Sequence, residues 1–353
     1  MLIARDHLLT VLNTLYDTGT TTITVKHPCE EIGELLRFEL EDAGTATVRF
    51  TQGANTYREN RDTVEIEYGK TAYDDLPDAN SYIRGVVAGG LLSLENRADI
   101  DGFVNRYGFP DLEAGHPPVK IGIDANLMGF RIPDVLDIDP RTGKQDAAGR
   151  RATTGFALSK GVKKELDWHY NHYNTADVTA AFGEEFKQLQ NQPAGANREG
   201  FLGLYEFRRY ASRRTADLVP SETTEIETGD QAIIEAYRQY DAENRKRVLL
   251  FSNDYEFIDN AQDVGIWAHH VSFPVDMPRK TTVSWRTLAT ALYILTVQFA
   301  VLKLPKVTLY GVWEGKTGKH WQDEQLRIDC RSPVVDSQLR RAVSIVERFA
   351  QAT

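Results

Sequence analysis

The sequence predicts an α/β fold with a parallel sheet in the middle of the chain, and three observations carry that expectation. From residue 119 to about 272, strand-like and helix-like patterns follow one another as strand, helices, strand, helix, strand, the order that builds parallel sheets. Two of the strands, KIGI and RVLLFS, are short and largely apolar, as strands covered on both faces are. Each of these two runs leads into an aspartate at or just beyond its end, Asp124 after the first and Asp254 after the second. Smaller α/β patterns flank this centre. The expected division is 1–115, 116–275 and 276–353. In a second arrangement the two flanks join into one domain, with the central domain inserted between them.

The elements can be taken in order. Residues 5–16 carry Leu8, Leu9, Leu12 and Leu15 on one side of an amphipathic helix. The β-branched run 20–27 reads as a strand, and 30–44 as a helix stopped by Gly44. Alternation at 45–52 and 62–69 predicts two strands, and 81–108 two helices broken near Gly89 and Gly90. Residues 109–118, with three prolines and a glycine, read as a linker. The central domain opens on the strand at 119. A polar loop (137–153), a helical stretch (156–190), a second loop (191–200) and a basic helix (201–218) follow. A helix from Asp230, the strand 247–254, a helix from Tyr255 and a strand from Ile266 complete it. The tail offers a helix at 284–303, strands at 306–313 and 324–330, and a last helix at 334–351.

The chain has 353 residues, 41% of them hydrophobic, enough for two or three domains at roughly 150 residues each. Its net charge of −10 does not suit indiscriminate wrapping by a nucleic-acid backbone. Any such contact has to use local basic patches or bridging cations. The acidic balance, with arginine outnumbering lysine, also fits a high-salt cytosol of the halophilic archaeal kind. Cys29 and Cys330 are neither a disulfide framework nor a zinc site, and they read as core thiols of a reducing compartment. The opening residues form too short an apolar run for a signal peptide. The apolar stretch 288–304 falls just under membrane-spanning length and reads as a buried helix. Together these features predict a cytoplasmic protein with no membrane partner.

Carboxylates carry the chemistry. Asp124 and Asp254 follow strands whose carboxyl ends would form one sheet edge, the place where open α/β sheets bind ligands. Either alone could be a helix cap. Two at one edge repel, and Mg²⁺ or Mn²⁺ relieves such repulsion because these ions prefer carboxylate oxygens and water. Glu165 by itself reads as a surface glutamate, and Asp230 as a helix-dipole carboxylate.

The order KIGIDANL, KKEL, GDQAIIEAY, FSNDYEFIDNAQDVGI resembles the PIN-domain nucleases over about residues 118–272. Asp124-Ala125-Asn126 matches that family's first strand end, and Glu165-Leu166 its helical glutamate. Asp230 matches its helix-opening aspartate. Ser252-Asn253-Asp254-Tyr255-Glu256-Phe257 matches its Ser/Thr-x-Asp-x-x-Phe turn. The stretch between Asp124 and Asp230 is longer than in compact members, which leaves Glu184 and Glu185 as alternatives to Glu165. The resemblance implies a PIN-like α/β/α domain and a Mg²⁺- or Mn²⁺-dependent endoribonuclease acting on RNA through a metal-activated water. It implies Asp124, Glu165, Asp230 and Asp254 as catalytic metal ligands, and Asn126, Ser252 and Asn253 as their supports. It also implies a possible homodimer. The rival from another class is a PIN-like module that no longer cuts and only binds RNA or scaffolds. A toxin of a toxin–antitoxin pair and a DNA structure-specific nuclease rank lower.

Arg209 and Arg213 share a helix face, and Lys316 and Lys319 sit among aromatics in a glycine-containing turn. All four are candidate RNA contacts, weighed against simple solvated basic faces. His169, His172, His269 and His270 lack a partner set for zinc.

Overall fold

The computed structural model describes residues 1–110, 112–136, 155–166, 175–189, 192–195, 197–212, 216–220, 229–311 and 324–352. The amino-terminal part contributes strands β1 (Leu2–Ala4), β2 (Thr22–Lys26), β3 (Glu34–Leu40) and β4 (Thr45–Phe50). The middle contributes β5 (Val119–Ile123), β6 (Ala157–Ser159), β7 (Asp217–Val219), β8 (Arg247–Ser252) and β9 (Trp267–His270). The carboxy-terminal part contributes β10 (Lys280–Ser284), β11 (Val301–Leu304), β12 (Val307–Tyr310) and β13 (Gln325–Cys330).

The chain divides into two units, one of Met1–Leu92, Tyr170–Arg198 and Pro274–Thr353, the other of Ser93–His169 and Glu199–Phe273. Of the segments expected as separate flanks at 1–115 and 276–353, residues 1–92 and 276–353 share the first unit, whereas 93–115 belong to the second. The physical reason is strand pairing. Eight strands run in the order β1-β13-β12-β11-β2-β3-β4-β10, so strands from both chain ends alternate within one antiparallel sheet. The expected central domain 116–275 is itself divided, since Tyr170–Arg198 joins the chain ends in the first unit.

Two elements of this first unit differ from expectation. Residues 34–40 form β3 and not a helix, because Leu36, Phe38 and Leu40 recur at period two and are all buried. β3 lies between β2 and β4 and is hydrogen-bonded on both sides. Gly44, at φ +73°, makes the turn into β4 and stops no helix. Residues 62–69, expected as a strand, belong to the helix Ala54–Tyr68. Its buried Tyr57 and Val64 stand seven residues apart, two helical turns, whereas Ile66 is 81% exposed. The predicted helix at 284–303 is also shorter than expected. Helix Trp285–Phe299 ends at Ala300, whose φ is +64°, and β11 follows. That helix is buried nearly all round, from Leu288 to Phe299, which explains its unbroken apolar sequence. Gly89 lets it approach helix Ala79–Ala88, since a Cβ there would fall 2.6 Å from the Ala291 Cα. Among the described residues no helix is long and apolar enough to cross a membrane.

The second unit is mixed α/β around parallel strands, as expected. β5, β8 and β9 form a three-stranded parallel sheet in the order β5-β8-β9. A single parallel bridge, Ile121 to Phe156, links β5 to the start of β6, and β6 pairs in parallel with β7. All five residues of β5 are buried, as are Val248 to Ser252 of β8. Chain order thus runs outward from β5 through β6 to β7 on one side, then returns to β8 and β9 on the other. The reversal falls between β5 and β8, and the crevice beyond the carboxyl ends at such a switch is where open α/β sheets bind ligands. The stretch expected as helical from 156 instead opens with the three residues of β6, and helix Lys160–Leu166 follows. The polar loop at 137–153, His169 and His172 lie outside the described residues.

Candidate active site

Register sets the site. Ile123 of β5 pairs with Phe251 of β8, and the Asp124 amide donates to the Phe251 carbonyl at 3.0 Å. Asp124 and Ser252 therefore emerge side by side at the carboxyl edge of the two strands that flank the switch. Asp124 is 4% exposed. Its Oδ1 accepts from the Ala125 amide at 2.6 Å, and its Oδ2 accepts from the Ser252 hydroxyl at 2.7 Å. Ser252 is wholly buried, and its Oγ also accepts from the Asp254 amide (3.0 Å) and from the Asn126 side-chain amide (3.2 Å). Asn126 closes the loop, its Oδ1 accepting from the Asn253 amide at 3.3 Å. Asn253 donates to the Val271 carbonyl at 2.8 Å, which ties the turn to the end of β9. The three supporting residues read from the sequence thus form one connected network beneath Asp124 and Asp254.

Asp254 is exposed and caps helix Tyr255–Asp263, its Oδ1 accepting from the Glu256 and Phe257 amides. The helix-cap role weighed for this residue is real. It engages one carboxylate oxygen, and Oδ2 has no hydrogen-bond partner among the described residues. Asp230 is exposed in the first turn of helix Asp230–Asn244, after Gly229 at φ +76°. Glu165 lies near the end of helix Lys160–Leu166, which follows β6 directly.

The four acids act on one another. Burial pushes the Asp124 carboxyl up to about 6, against the pull of the Ser252 and Ala125 hydrogen bonds, and the charges of Asp230 and Asp254 push the same way. Glu165 is exposed at the surface, and its partial burial raises it to about 7, with the charges of Asp124 and Asp230 adding to the rise. Partial burial raises Asp230, helped by Asp254 and Glu256. Glu256 is an acid of this cluster that the sequence reading did not single out. Its signal was present in the turn motif itself, two residues beyond Asp254. The alternatives to Glu165 belong to the first unit and have partners there, Glu185 with Lys303 and Glu184 with Lys187, both at 2.6 Å.

Asp124, Glu165, Asp230 and Asp254 offer only carboxylate oxygens, the donors that hard cations prefer. Among the described residues, which include all four of these acids, no group of three or more His, Cys, Asp or Glu side chains is placed to hold a metal ion. Mg²⁺ and Mn²⁺ need no such cage, because Mg²⁺ in particular keeps several waters and takes one or two carboxylates directly. Charges that raise one another's pKa are the electrostatic condition a dication relieves.

Of the candidate RNA contacts, only Arg209 is described, and it is engaged elsewhere. Its guanidinium pairs with Asp134 at 3.1 Å and Glu206 at 3.4 Å. The buried Arg131 joins the same group, at 2.7 Å from Asp134 and 3.3 Å from Glu206. Arg209 thus belongs to a charge network within the second unit, the alternative weighed against a phosphate contact. Arg213, Lys316 and Lys319 lie outside the described residues. No protein-family model, curated protein or solved structure matches this chain.

Proposed function

We propose that the chain is a metal-dependent phosphodiesterase of the PIN type, an endoribonuclease whose second unit is a PIN-like domain. The observation that supports this reading is that Asp124, Glu165 and Asp230 are each pushed up by neighbouring acids, Asp254 among them, where separate elements meet at the carboxyl edge of a parallel sheet. Unrelieved carboxylates disfavour one another's charged forms, and Asp124 is moreover buried.

In this reading Asp124 and Asp254 hold Mg²⁺ or Mn²⁺, with Asp230 and Glu165 completing the site directly or through water. A bound ion would supply charge for the phosphate and a water ionisable near neutral pH. Ser252 keeps Asp124 Oδ2 in a single orientation, and Asn126 keeps Ser252 and the Asn253 backbone in place, so the two acids stay in register. Glu165, with its pKa near 7, can hold or release a proton at working pH beside the reacting phosphate.

The test is cleavage of a labelled RNA panel with Mn²⁺, Mg²⁺ or EDTA at low and high salt, comparing wild type with Asp124→Asn. Metal-dependent cutting that disappears in the variant supports the proposal. Absence of cutting by wild type, with no Mn²⁺ binding by calorimetry, refutes it and favours a non-cutting RNA-binding module. That no group of three or more acids, histidines or cysteines among the described residues is placed to hold a metal ion is the observation in that rival's favour.

A further inference from the structure

Tyr255 follows Asp254 directly and is 66% exposed, among the largest exposures of any large apolar or aromatic side chain in the second unit. It is held in place on one face. Its ring stacks on His270 with centroids 3.6 Å apart and planes inclined by 10°. His270 is itself fixed at both ring nitrogens, Nδ1 by the Ser272 hydroxyl at 3.1 Å and Nε2 by the Asn253 carbonyl at 3.1 Å. His270 ends β9, and Asn253 and Asp254 follow β8, so the stack stands at the same carboxyl edge of the sheet as the acids. One face of the phenol ring is therefore covered and the other open. A solvent-exposed aromatic pinned in a single orientation loses little side-chain entropy when something stacks on it.

We propose that the open face of Tyr255 is a stacking platform for an unpaired nucleobase, making the protein selective for single-stranded over duplex RNA at the acid site. This rests on the nuclease reading for its choice of ligand. The chemistry follows from the ring. Every base offers a π-face, stacking on an aromatic is sequence-tolerant, and a base inside a duplex has both faces already occupied. Tyr255 would act by positioning, bringing the backbone of the stacked nucleotide to the neighbouring carboxylates.

The experiment measures binding of a fluorescent 12-nucleotide single-stranded RNA and of its duplex by anisotropy, in EDTA so that nothing is cut, for wild type, Tyr255→Ala, Tyr255→Trp and Asp124→Asn. Expected for Tyr255→Ala is a loss of single-strand affinity of roughly 5- to 100-fold. Duplex affinity and thermal melting should be unchanged, and Tyr255→Trp should restore single-strand binding. Equal single-strand binding by wild type and Tyr255→Ala overturns the platform, as does no measurable single-strand binding by wild type. Failure of the nuclease reading looks different. In that case wild type cuts nothing in Mn²⁺, yet single-strand binding still depends on Tyr255.

Discussion

Replacing Asp124 by asparagine tests the electrostatic argument without any substrate. In the ion-free protein the Asp124 carboxyl rises from an ordinary 3.8 to about 6 on folding. A pKa raised by folding stabilises the folded state at low pH, and that contribution is lost as pH rises through the folded value. At 1.36 kcal/mol per pH unit the whole contribution is about 3 kcal/mol, of which roughly 2 kcal/mol or slightly more is lost between pH 4 and pH 8, because pH 4 already lies just above the unfolded value and above pH 7 the fold carries a buried, repelled charge. Asparagine removes the charge but keeps one acceptor oxygen in place of two. Ser252 or Ala125 then loses its partner, at a cost of about 1 kcal/mol. The variant should therefore be about 2 kcal/mol more stable than wild type at pH 8 in EDTA, and slightly less stable, by about 0.5 kcal/mol, near pH 4. Urea unfolding followed by tryptophan fluorescence at the two pH values reads both numbers. A variant less stable than wild type at pH 8, or a gap that does not change with pH, would refute the picture of Asp124 as a desolvated charge among acids.

Four further outcomes follow from the same structure. Saturating Mn²⁺ at about 100 times its dissociation constant should stabilise wild type by about 2.7 kcal/mol at pH 8 in thermal melts, EDTA should reverse this, and Asp124→Asn should gain almost nothing. Apparent Mn²⁺ affinity in calorimetry should fall as pH drops below about 7 and then 6, because Glu165 and Asp124 must give up protons before they bind. Ser252→Ala should destabilise by about 1–3 kcal/mol in urea and abolish metal-dependent cleavage, since the hydroxyl joins Asp124, Asn126 and the Asp254 amide while wholly buried. In the first unit, Arg198→Met should cost about 3–5 kcal/mol, because it leaves Asp75, 4% exposed, without the guanidinium that contacts both its oxygens at 2.9 and 3.0 Å.

Much of the candidate site's local geometry was legible in sequence. Its parts are local signals, an apolar strand followed by Asp at 124, a Ser-Asn-Asp turn at 252–254 and an acid opening a helix at 230. The support of Asp124 by Ser252 and Asn126 follows the same pattern, because strand register fixes which turn residues face each other. Elements were misread where local pattern and burial diverge. The charged residues of 30–44 suggest a helix, but pairing with β2 and β4 on either side makes 34–40 a strand. The alternation in 62–69 suggests a strand, yet Ile66 faces water and residues up to Tyr68 continue the helix from Ala54. Arg209 was unreadable in a different way, since its acids, Asp134 and Glu206, are chosen by helix packing.

Composition, the apolar runs and the positions of the acids along the chain were enough to set the class of the central fold and to nominate its carboxylates, because strand and turn chemistry is written in neighbouring residues. Three things were decided only by tertiary structure. The two chain ends share one sheet, the order of the parallel strands reverses between β5 and β8, and the charges of Asp124, Glu165, Asp230 and Asp254 reach one another. Each depends on distance through space between residues far apart in sequence, and the Coulomb energy that shifts a carboxyl's pKa depends on that distance and on the exclusion of water, neither of which spacing along the chain records.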